Sequence, residues 1–155
     1  MDAFKLHLLL NHYPMIGTIA GLIVLLLGLW RKSIKLKRIS LWVFFAAALV
    51  SVAVIASGEI AGRGDGILAG STGELVRQHQ ESARLTFVLI GSNGIAAVFG
   101  LIMLYRGSFL AAWFILAVLI LSLTASVLVT RTTLQGRNIK YGAASIADQD
   151  FTNSK

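Results

Sequence analysis

The sequence predicts an all-α protein, a four-helix transmembrane bundle whose sequential neighbours run antiparallel. Two observations carry that prediction. Hydrophobic residues make up 56% of the 155-residue chain and charged residues 14%, with a mean hydropathy of +0.77; a soluble domain has roughly 45–50% and about 25%. The apolar residues also gather into four runs long enough for a ~30 Å hydrocarbon core, which takes about 20 helical residues.

The first run is 8–30, with His12, Tyr13 and Pro14 near its start; the others are 39–57, 85–105 and 109–130. None holds a charged residue, and Asn93 is the only strongly polar side chain deep inside. In lipid the backbone must satisfy its own hydrogen bonds, so the runs read as helices. The short connections Arg31 to Arg38 and Arg106 to Ser108 make neighbours antiparallel. Residues 1–131 form the membrane domain and 132–155 a polar C-terminal tail.

Charge sets the expected orientation. Arg31, Lys32, Lys35, Lys37 and Arg38 fall within eight residues, whereas Gly58 to Arg84 holds three basic and four acidic residues. The positive-inside bias places the first connection in the cytoplasm and both termini outside, although the basic tail (Arg131, Arg137, Lys140, Lys155) pulls the other way. The net charge of +7 therefore reads as membrane orientation, and no nucleic-acid partner is expected. Met1 to Lys5 lacks the basic region of a cleavable signal, so the first span is expected to stay attached.

The long loop between the second and third spans starts glycine-rich. Its Gly62-Arg63-Gly64-Asp65-Gly66 stretch follows no strand and is not a phosphate cradle. Ser71-Thr72-Gly73-Glu74 reads as a capping box, which starts the third helix near Ser71, ahead of the membrane. Gly17, Gly21 and Gly28 form a small-residue face on the first helix that lets a neighbour approach closely.

Candidate chemistry rests on three histidines: His7, His12 and His79. The chain has no cysteine, which removes disulfides, thiolate metal sites and covalently attached haem. The predicted topology puts all three histidines at the outer end, on the first and third helices. One such residue usually just hydrogen-bonds to headgroups; three on one side point to use. At helical spacing His79 shares a face with Ala83, Thr86, Ile90, Asn93 and Ala97, opposite Arg77, Glu81 and Arg84. His7 lies nearer the glycine face than His12. Counted at the helical rise, His12 stands about 28 Å, His7 about 36 Å and His79 about 40 Å above the inner connections. Depth and face favour His7 as the partner of His79, and a Pro14 kink keeps His12 open.

Paired inward imidazoles suit one b-type haem, which needs no cysteine and a small-residue wall. The competing use is copper or zinc, with Glu59, Glu74 or Glu81 as a further ligand. Glu59, ending the second helix on the same side, is the second-shell candidate beside Asn11, with an ion pair or a solvated end as its plainer role. No nucleophile set or buried carboxylate pair supports a hydrolase, and no midplane charge supports transport.

The opening His7-Leu8-Leu9-Leu10-Asn11-His12-Tyr13-Pro14-Met15-Ile16-Gly17-Thr18 resembles that of a widespread bacterial family of small four-helix membrane domains of unassigned function. Ser57-Gly58-Glu59 and the stretch Glu74 to Ala83 around His79 are similar to further segments of some members, with Gln80 where those members carry glutamate. The likeness spans about residues 4 to 105. It implies a redox setting, because such domains accompany Rieske-type and c-type cytochrome domains, and it gives His12 as much weight as His7.

Two expectations follow. The first is a cytochrome b-like subunit of the bacterial inner membrane, with one haem near the outer leaflet ligated by His79 and either His7 or His12. It would pass electrons between the quinone pool and an extracytoplasmic cytochrome. The second is a cofactor-free accessory subunit of a larger respiratory or photosynthetic complex. Either is an electron-transfer or accessory role more than that of a stand-alone enzyme.

Overall fold

The computed structural model describes residues 12–62 and 71–153, with side chains over 12–56, 77–78, 80–132 and 134. Four helices account for almost all of it: α1 (Tyr13–Trp30), α2 (Ile34–Gly62), α3 (Ser71–Tyr105) and α4 (Ala111–Asn153). Each packs on the next, and α1 also packs on α4, so the four close into a ring with α1 and α3 on one diagonal. Each contains a stretch long and apolar enough to cross a membrane: Tyr13–Trp30, Ile34–Ala56, Gln80–Tyr105 and Ala111–Thr132. The predicted four-helix membrane bundle is the observed fold.

Helix boundaries follow local chemistry. Pro14 sits in the first turn of α1, where its missing N–H is no loss and its fixed φ suits the helix. There is no kink to explain. The first connection is shorter than predicted, because Ile34 to Arg38 belong to α2. Ser33 makes the difference: its Oγ accepts the Leu36 N–H at 3.4 Å, the bond of an N-cap. The third helix is described from Ser71. Helix α4 continues beyond its span to Asn153.

Both short connections close a helix with the same motif. After α1, Ser33 N–H bonds to Gly28 O at 3.0 Å and Lys32 N–H to Leu29 O at 3.2 Å. After α3, Ser108 N–H bonds to Met103 O at 3.0 Å and Gly107 N–H to Leu104 O at 3.4 Å. These are paired Schellman bonds, which demand a left-handed residue at the turn. Gly107 supplies it with φ +65°, and Lys32 with φ 50°.

The bundle interior is filled. Leu25, Leu41, Phe44, Ala97, Leu101, Ile115 and Val118 form one cluster in the half nearer the short connections. Ile90, Ala125 and Val129, flanked by Met15, Ala48 and Leu89, form a second toward the other end. Between helices the glycines permit contact at backbone distance. A methyl group added at Gly17 would stand 3.0 Å from Ala47 Cβ, and one at Gly21 would stand 2.8 Å from the Phe44 ring. One added at Gly94 would collide with Ala48. The small face of α1 is therefore a seat for α2, which is the packing use of such a stripe.

Aromatic and basic residues mark one end. All three tryptophans, Trp30 (77% exposed), Trp42 (53%) and Trp113 (68%), lie within three turns of the short connections and face outward. Arg31, Lys32, Lys35, Lys37, Arg38 and Arg106 occupy that end, and no acidic residue stands between Glu81 and Asp148 or between Asp2 and Glu59. Amphipathic indole rings favour the headgroup level, so this end carries an aromatic belt.

Candidate functional site

The buried line of α1 is Pro14, Thr18, Gly21, Leu25 and Gly28, alternating steps of four and three. That is the seam of a helix facing one core. Asn11 and His7 precede the N-cap of α1 and lie outside the described residues. His12 falls off the line. It is the N-cap of α1, with an exposed ring, no side-chain capping bond, and a carbonyl that accepts the Ile16 N–H at 3.0 Å.

On α3 the buried line is Thr86, Ile90, Asn93, Ala97 and Leu101. This is the face that the helical spacing predicts. Backward it passes half-buried Ala83 and reaches His79, which belongs to α3 by its backbone and whose side chain lies outside the described set. The opposite side carries the Arg77–Glu81 ion pair, exposed to solvent as the spacing requires. Glu59 lies near the C-terminal end of α2, at the end of the bundle where α1 begins and α3 starts; its side chain is likewise outside the described set. Among the described residues no three histidine or carboxylate side chains gather as a metal site.

Two buried polar atoms stand out. Thr18 Oγ1 and Asn93 Oδ1 are enclosed and have no hydrogen-bond partner. Counted from Trp30 and from Tyr105, each lies 12 residues in, so both sit about 18 Å from the connection end. A polar layer thus crosses the diagonal between α1 and α3. Asn93 was visible in the sequence as the lone deep amide; Thr18 was not, and its signal is its place on the line between Pro14 and Gly21. Other buried hydroxyls are satisfied within their own helices: Ser40 donates to Lys37 O at 2.8 Å, Ser51 to Ala48 O at 2.7 Å and Ser122 to Leu119 O at 3.0 Å.

Above that layer, Thr86 and Thr132 join α3 to α4, and Met15, Ile90 and Val129 fill the space between the helices. No protein-family model matches this sequence, and no characterised protein or solved structure matches it either. What stands is the architecture: four apolar helices, each a candidate membrane span, in an all-α ring.

Proposed function

We propose that the chain is a membrane electron-transfer subunit that holds one b-type haem at the mouth of the bundle through His79 and His7. Register supports the reading. The buried line of α3 extends at helical spacing to His79, while His7 precedes the start of α1, five residues ahead of the exposed His12. The helical rise puts His12 about 12 Å below His79, so His7, ahead of it in the chain, suits shared ligation better. A bis-imidazole haem, when bound, supplies one-electron transfer. The chain's own part is to offer two imidazoles at the mouth and to close the interior beneath them with Met15, Ile90 and Val129. The basic, tryptophan-rich end then faces the cytoplasm, which leaves the mouth and both termini outside. The quinone pool and an extracytoplasmic cytochrome are the fitting electron partners.

An absorbance spectrum of the detergent-purified chain from haem-replete cells tests this. A Soret band is expected, lost in His79→Ala and His7→Ala and kept in His12→Ala. A colourless protein overturns the proposal. The filled interior and the exposed His12 ring favour a second reading, a cofactor-free accessory subunit of a larger membrane complex. That reading expects co-purifying partners and indifference to all three histidine substitutions. Stoichiometric copper or zinc by elemental analysis would instead favour a metal centre.

A further inference from the structure

Between α2 and α3, at the end that carries the short connections, lies a groove of about 300 Å³ lined by Trp42, Phe45, Val98, Leu101, Ile102 and Tyr105. Its exposed lining is wholly apolar and it opens outward, where a spanning helix meets lipid. Water gains nothing in such a space, which has room for roughly ten water-sized groups and no polar partner for them. The wall is braced: the Trp42 and Phe45 rings meet edge to face at 5.9 Å. At the groove's mouth the Arg38 guanidinium carbon lies 4.3 Å from the centroid of the Tyr105 ring. Arg38 Nε is enclosed and has no hydrogen-bond partner. Lys35, Arg31, Lys32 and Arg106 are exposed around the same end, which contains no acidic residue to neutralise them.

We infer that this groove is a binding site for an anionic phospholipid, one acyl chain lying between α2 and α3 and the headgroup phosphate on Arg38. Each half of the lipid meets its complement. The apolar slot takes the chain, and the guanidinium, fixed in place by the Tyr105 ring, turns its remaining N–H groups to the phosphate in bidentate fashion. The surrounding lysines and arginines add attraction for the negative headgroup, about fivefold in affinity for each one near the surface. Tyr105 and Trp42 hold the site at headgroup depth. The inference rests on the four spans and is independent of any haem.

The test uses the full chain carrying Trp30→Phe and Trp113→Phe, so that Trp42 is the only fluorophore of its kind. It is placed in phosphatidylcholine vesicles doped with equal small fractions of chain-brominated phosphatidylglycerol or chain-brominated phosphatidylcholine. The expected result is stronger quenching of Trp42 by the anionic lipid, with the excess reduced about fivefold in apparent affinity in Arg38→Gln. Inorganic phosphate at the same headgroup concentration should leave the quenching unchanged, because it lacks the chain. Equal quenching by both lipids, an unaltered excess in Arg38→Gln, or displacement by inorganic phosphate each overturns the assignment. If the tryptophan substitutions prevent folding, native mass spectrometry of the unsubstituted chain decides. Preferential retention of phosphatidylglycerol over phosphatidylcholine supports the site, and equal retention overturns it.

Discussion

The hydroxyl oxygens of Thr86 and Thr132 stand 3.0 Å apart, buried, on helices whose sequence positions differ by 46. Each also lies within reach of its own helix: Thr86 Oγ1 is 2.8 Å from Ser82 O and Thr132 Oγ1 is 2.9 Å from Leu128 O. Two hydroxyl protons must serve three contacts, so one threonine donates across to the other helix while its partner donates to its own backbone. The α3–α4 seam is thereby tied by a bond with a ready local substitute.

That substitute limits its worth. Thr86→Val and Thr132→Val should each cost about 0.6 kcal/mol, the average for hydrogen bonds between membrane helices. A double-mutant cycle by reversible unfolding in mixed micelles should return a coupling of the same size. A coupling of zero would show that the helices are held by packing alone.

The two helix-ending turns make a matched pair with opposite expectations. Gly107 has φ +65° and nothing within 4 Å of where a side chain would begin, so Gly107→Ala should cost about 1 kcal/mol for conformation alone. Lys32 already bears that cost at φ 50°, so Lys32→Gly should gain about 1 kcal/mol. Thermal unfolding of both variants in one detergent measures the difference. Shifts of the same sign would be inconsistent with the shared turn.

Gly94 and Ala48 meet where α3 crosses α2. Gly94→Ala should destabilise by about 1–3 kcal/mol, the usual range for overpacking. Ala48→Gly in the same chain removes the colliding methyl and should recover most of the loss. Failure to recover would place the defect in the helix itself.

Asn93 is 2% exposed and its Oδ1 has no partner, an arrangement that carries a desolvation cost without a compensating bond. Asn93→Leu keeps about the same size and should stabilise the bundle by roughly 1 kcal/mol. Circular dichroism during detergent titration checks it. A loss of stability would mean that the amide is paired in the membrane, for example through an internal water reaching Thr18 at the same depth.

The sequence by itself determined the class, the number of helices and their antiparallel order, since composition and the length of apolar runs respond directly to bilayer thickness. It also determined which face of α3 is buried: helical spacing from Thr86 through Ala97 needs no partner to be read. What only the tertiary structure decided is what each face meets. That Gly17 and Gly21 seat Ala47 and Phe44 of α2, that Thr86 finds Thr132, and that Arg38 lies over Tyr105 depends on which helices are neighbours and at what height. Such pairings join residues far apart in the chain. In lipid they cannot be read from hydrophobicity, because an apolar side chain is as comfortable against an acyl chain as against another helix. Close packing and a handful of polar contacts choose among arrangements that composition leaves equal.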